Sequence, residues 1–339
     1  MTMTNVSGPE TPAIVAEDVR KAERTDRVVG TIQRQGALAV LVVVVLIALA
    51  TFPNFRSFDN AATILVAAAP PMLIALGMTF VIITGGIDLS VGSLYVLGGV
   101  LAAWASQYGI LAAFLLPLAV CGAIGLVNGL LIAYTRMAPF IVTLAALLGA
   151  RGLMRAISAE GSNTYLVQDD TFRKLGNGSF LNIGYQVWLV AGLVVIGMVV
   201  LARTRFGASV YSVGGSEDAA SLMGVPVRRT KVWVYVLSGL LAGLAGAINA
   251  AKLGSGVTVL GTGMELDAIA AVVIGGTLLT GGAGTIAGTI AGVLLLGVIQ
   301  NLINQVGNLN SNWQQVISGA FLALVVVAQT YLVRLRRVT

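Results

Sequence analysis

The chain has 339 residues, 57% of them hydrophobic and 10% charged, with a mean hydropathy of +0.92. A soluble domain carries about 25% charged residues, so this chain has too little charge to cover a water-facing surface and reads as an integral membrane protein. Its net charge of +6 comes with no histidine, which removes imidazole acid–base and metal chemistry, and a single cysteine, Cys121, rules out an internal disulfide.

Residues 1–36 form a polar tail in which Arg20, Lys21, Arg24, Arg27 and Arg34 alternate with Glu17, Asp18, Glu23 and Asp26. No small-residue cleavage site follows the first apolar run, so the tail is not a cleavable signal. About 20 apolar residues cross a bilayer. On that basis the sequence predicts an all-α permease domain over 37–333 with ten spans, near 37–52, 61–83, 91–106, 111–134, 139–157, 185–202, 232–252, 265–283, 286–305 and 313–333, followed by a tail at 334–339. With the N-terminus inside, fourteen of the twenty basic residues fall on the inner side. This bias predicts both termini in the cytoplasm and accounts for the basic charge without a nucleic-acid partner.

Between the second and third spans stands TGGIDLSVG (84–92), with Gly85, Gly86, Asp88 and Ser90 interrupting apolar helix. It has an echo. GIDLSVGSLYVLGGVL (86–101) aligns with GMELDAIAAVVIGGTL (263–278) at a constant offset of 177 residues, laying Asp88 on Glu265 and Gly98-Gly99 on Gly275-Gly276. The offset carries spans two to five onto spans seven to ten in opposite orientation, an inverted-topology repeat with broken helices. The second break, around Gly263, Glu265 and Asp267, is then expected at the opposite membrane face. The acids have two readings: helix caps that accept from first-turn amides, or gating groups that touch solute.

Arg151 lies well inside the fifth span, where a charge is costly. Asp267 or Glu265 is its expected partner; otherwise Arg151 and Arg155 snorkel to the outer interface. The internal loop 203–231 contains a capped segment: Ser216 at the N-cap, Glu217 and Asp218 in the first turn, then Ala219, Ala220, Ser221, Leu222 and Met223, with Gly224 as the stop. It reads as a docking helix for a partner or as a helix lying at the interface, with Ala220 expected in the partner contact. There is no GxxxxGK[ST], so any ATP is bound by another subunit. Asn128, Gln300, Asn301 and Asn304 are amide side chains on spans, suited to the hydroxyls of a neutral sugar.

Three blocks, GMTFVIITGGIDLSVGS (77–93), RTRFGASVYSVGGSEDAASLMGV (203–225) and ELDAIAAVVIGGTLLTGGAGTIAGTIAGVLLLGVIQNLI (265–303), resemble the permeases of bacterial ABC sugar importers, the ribose/xylose/galactofuranose permease family. Elements of the Thr143-Leu144 and Arg151-Gly152 type are also present. The resemblance implies a non-enzymatic pore subunit in the bacterial inner membrane, paired with a second permease subunit as homo- or heterodimer. It implies ATPase subunits below, docked on 216–223, and a periplasmic sugar-binding protein above, with no cofactor or metal in this chain. Two rivals remain: an ion-coupled secondary transporter, which would bury more carboxylates or a histidine, and an amino-acid permease of related ABC architecture.

Overall fold

The computed structural model describes residues 36–306 and a few helical positions between 316 and 327. The tails 1–35 and 334–339 and most of the predicted tenth span lie outside the described residues. The helices are α1 (Gly36–Thr51), α2 (Phe58–Ile83), α3 (Val91–Ala105), α4 (Ile110–Thr135), α5 (Pro139–Ile157), α6 (Asp170–Asn177), α7 (Tyr185–Arg203), α8 (Arg205–Gly215), α9 (Glu217–Leu222), α10 (Val227–Leu253), α11 (Met264–Ile274) and α12 (Ile286–Val306). Between α6 and α7 a two-stranded antiparallel ribbon pairs β1 (Ser179–Phe180) with β2 (Ile183–Gly184), a small exception to the all-α expectation.

Among the described residues, six helices (α2, α4, α5, α7, α10 and α12) are long and apolar enough to cross a membrane. The chain is therefore a multi-pass helical membrane protein. Helices α3 and α11 have 15 and 11 residues, too few to cross the hydrocarbon core unaided. The predicted span 265–283 is cut short because Gly275-Gly276 ends α11, with Gly276 at φ +88°, and 275–285 is irregular.

The core is built on α2 and α10, whose apolar stretches are 83% and 78% buried, against 28% for each of α4, α5 and α7. Small residues make this packing possible. A Cβ at Gly98 of α3 would stand 2.7 Å from the Gly243 carbonyl oxygen of α10, and one at Gly243 would stand 2.8 Å from Cys121 Cβ of α4. Helices α3, α10 and α4 thus touch backbone to backbone, as expected where lipid supplies no hydrophobic drive between helices. Across the core, Thr79 of α2 and Thr289 of α12 share a 2.8 Å hydroxyl bond.

Candidate functional site

Three irregular segments converge inside this bundle. The first, 84–90, leaves α2 through Gly85 at φ +77°, a left-handed backbone that a β-carbon disfavours. Asp88 and Ser90 are fully buried. Asp88 Oδ1 accepts from the Ser90 amide (3.0 Å) and hydroxyl (2.6 Å), and Oδ2 accepts from Ser238 Oγ of α10 (2.7 Å). Asn128 of α4 donates to Ser90 Oγ (3.3 Å), and Thr143 of α5 donates to the Ile87 carbonyl (3.3 Å). A buried carboxylate is tolerated only when hydrogen-bonded, and these donors tie the break to α10 while Asn128 and Thr143 tie it to α4 and α5. Ser90 stands at the N-cap position of α3 but makes no side-chain cap bond, because its hydroxyl is donated to Asp88. Gly86 lies against the hydroxyl of Tyr235, which is buried and has no hydrogen-bond partner among the described residues.

The second segment, 254–263, leaves α10 at Gly254 (φ +70°) and passes through Gly261 (φ +83°) and Gly263 (φ +86°) into α11. Its position departs from the sequence expectation. Gly256 packs on Val100, Gly261 packs on Gly92 and Val96, and Glu265 also touches Gly92. The segment therefore runs beside α3 from Val100 to Gly92, about 12 Å, and the two breaks abut instead of standing at opposite faces. Glu265 Oε2 is buried there without a partner among the described residues.

The third segment, 275–285, joins the first: the Gly282 amide donates to the Ile83 carbonyl (2.9 Å) at the end of α2. Helix α8 is wedged onto this junction. Gly214 contacts Ile83 and Gly282 so closely that no β-carbon fits, and Tyr211 donates to the Gly284 carbonyl (2.7 Å). Helix α9 follows directly. Ser216 Oγ accepts from the Ala219 amide (3.3 Å), Glu217 pairs with Lys231 of α10 (2.5 Å), and Gly224 takes φ +80°. Ala220, expected at the partner contact, is instead 3% exposed and packed on Val213 and Val227; Leu222 and Met223 face outward, 90% and 75% exposed. The short side chain fits where α8 and α10 leave little room, and the long ones are turned out.

Gln300, Asn301 and Asn304 of α12 line a cavity of about 160 Å³ with Asp267 of α11 and Thr63 of α2. Asn301 donates to Asn60 Oδ1 (3.0 Å), and Gln305 donates to Asn301 Oδ1 (2.7 Å). Arg151 lines a different cavity, and no ion pair joins it to Asp267 or Glu265 among the described residues. The expected pair is not brought together: depth along a helix does not fix which neighbour a side chain faces. Among the described residues no cluster of three metal-ligating side chains occurs. Ser238, Tyr235, Tyr211 and Gly214 carry no local signature, because a hydroxyl or glycine on an apolar helix is unremarkable; Asn60 is an amide of the same kind as Asn128 and was overlooked.

A membrane protein that breaks its helices, bonds the first break internally and seats a short helix on the junction of two breaks falls in the class of transport permeases. Residues 60–326 match the family described as branched-chain amino acid transport system / permease component, and the chain belongs to that family. It is 41% identical over 303 residues to the ribose import permease protein RbsC of Escherichia coli strain K12, covering 87% of this chain and 93% of the relative. It is 40% identical over 300 residues to RbsC of Bacillus subtilis (88% and 93%) and 37% identical over 303 residues to the L-arabinose ABC transporter permease protein AraH of Azospirillum brasilense (88% and 88%). No solved structure matches the chain.

Proposed function

We infer that this chain is the permease subunit of an ATP-binding-cassette importer and forms the membrane path for a monosaccharide. The observation that carries this reading is the seat of α8 and α9. Exposed Leu222 and Met223 offer an apolar knob to a partner, while Gly214, eight residues back, rests on the ends of two helix breaks. A push on α9 is thereby delivered to the breaks. The relatives, named for ribose and L-arabinose, supply the substrate class.

In this reading ATP is bound and hydrolysed on a separate subunit docked at α9, a periplasmic binding protein delivers the sugar, and a second permease copy or homologue completes the pore. Both termini are cytoplasmic. The ten-span inverted repeat also belongs to the proposal. It is supported by the pairing of helices: α10 packs on α3 and α4 much as α2 packs on α11 and α12, the pattern the 177-residue offset demands. Asp88 knits the first break, and the amide cavity of α12 lies on the sugar path.

The family description favours a second reading, an amino-acid permease. Uptake assays with the reconstituted importer and its binding protein separate the two. ATP-dependent accumulation of labelled monosaccharide, not competed by L-leucine, is expected; accumulation of leucine instead overturns the sugar assignment.

A further inference from the structure

The cavity that holds Arg151 is about 290 Å³, at the small end of ligand pockets. Helices α3 and α5 and the segment 258–262 line it, it opens to the surface beside exposed Glu160, Val259 and Thr262, and its lining is mostly polar, with Arg151, Arg155, Ser93 and Thr258 completing the set. Neither guanidinium has an ion-pair partner among the described residues. Ser93 is 2% exposed and its hydroxyl has no partner, although it sits one residue from the Gly92 that Glu265 touches. A buried hydroxyl on the cavity wall without a protein partner costs free energy unless a ligand or water completes it. The wall at Ala159, Glu160 and Gly161 has φ of +45°, +58° and +89°, a run of left-handed backbone of the kind that collects at binding sites.

We propose that this cavity is a binding site for a neutral polyhydroxylated ligand within the permease itself, and, resting on the reading above, that it holds the sugar in transit. The donor set selects the chemistry. Guanidiniums need acceptors, the Glu160 carboxylate needs donors, and the hydroxyls of Ser93, Thr258 and Thr262 take either role. A sugar hydroxyl donates and accepts at once, so a polyol completes all of them. A phosphate or carboxylate would satisfy the arginines but face Glu160. The lining has no aromatic ring, so no stacking platform slows release, which suits a waypoint more than a storage site.

The test is saturation-transfer NMR on the purified chain in lipid nanodiscs, with D-ribose, L-arabinose and D-fructose as probes and L-leucine and methyl phosphate as controls. At least one sugar should receive magnetisation and the controls none. Arg151→Ala and Ser93→Ala should each weaken that sugar about tenfold, the size of one lost bond to a charged or buried group. Arg151→Lys, which keeps the charge and loses the fork, should fall between, and unchanged thermal unfolding of each variant shows that the fold survives. Transfer to no sugar, transfer to methyl phosphate or leucine, or sugar binding indifferent to both alanine variants overturns the site. If the complete importer still accumulates sugar in that case, the transport function stands; if it accumulates none of the three, the transport reading fails.

Discussion

Replacing Gly214 by alanine puts a methyl group where there is no room. The added carbon would overlap the Ile83 carbonyl oxygen and stand 2.5 Å from the Gly282 nitrogen. These two atoms form the 2.9 Å bond that joins the first and third irregular segments. Overpacking costs about 1–3 kcal/mol, and loss of the bond adds about 0.5–1.5 kcal/mol. If about 3 kcal/mol falls on the state in which α8 is seated, that state loses about two orders of magnitude in population. Leu222 and Met223 are untouched, so the ATPase should still assemble and turn over. The assay is labelled-sugar uptake per ATP hydrolysed in proteoliposomes, beside thermal unfolding of the purified complex. Gly214→Ala should lower uptake per ATP at least tenfold. Its neighbour is the control: a Cβ at Gly215 meets nothing within 4 Å, so Gly215→Ala should behave as wild type. Normal coupling in Gly214→Ala, or equal damage from both, would refute the view that α8 drives the breaks.

Other consequences follow from the same geometry. The purified chain alone should neither bind nor hydrolyse ATP, measured by nucleotide binding and phosphate release; turnover by a contaminant-free preparation rejects a separate ATPase subunit. Leu222→Asp should abolish co-purification of the ATPase at normal membrane expression. Ala220→Arg should instead lower the melting temperature by forcing a charge between Val213 and Val227, and the reverse pattern would mean that the docking face is misassigned. Ser238→Ala removes one donor from buried Asp88 and should cost about 1–3 kcal/mol, whereas in the background of Asp88→Ala the same change should cost much less. Strictly additive losses in denaturation would show that the bond carries no stability.

The first break was legible because its residues contradict their surroundings: two glycines, an aspartate and a serine in apolar sequence announce backbone that must be satisfied inside the protein. What satisfies it was not legible. Ser238 lies 150 residues from Asp88, in an apolar and glycine-rich stretch of α10 where a single hydroxyl does not stand out. The capped helix at 216–222 was readable from its N-cap and acidic first turn, yet its inner face was not, since small alanines suit a partner groove and a tight internal seat equally. Helix α8 went unnoticed although Thr204 was a readable start, its hydroxyl accepting from the Gly207 amide (3.2 Å). The Arg151 pairing failed for a related reason: a charge count and a depth constrain two coordinates, and a contact needs three. Asn60, which ties α2 to the amides of α12, had the same signature as Asn128 and could have been found by it.

The bond between Ser238 and Asp88 also sets a schedule. A ribosome adds about 5–20 residues per second, so about 8–30 s separate the synthesis of Asp88 from that of Ser238. Ser90 and Asn128 arrive within that interval and can hold one carboxylate oxygen's neighbourhood; the other oxygen has no native donor until α10 is made. Thr79 waits longer for Thr289, which lies 210 residues downstream. The first half of the chain must therefore linger in the insertion machinery or the bilayer with a half-satisfied acid, and α10 is the element whose arrival commits the polypeptide to its final form. A ribosome stalled before residue 238 should leave an α2–α3 hairpin that proteases still cut, and one stalled well past 253 a hairpin that they do not.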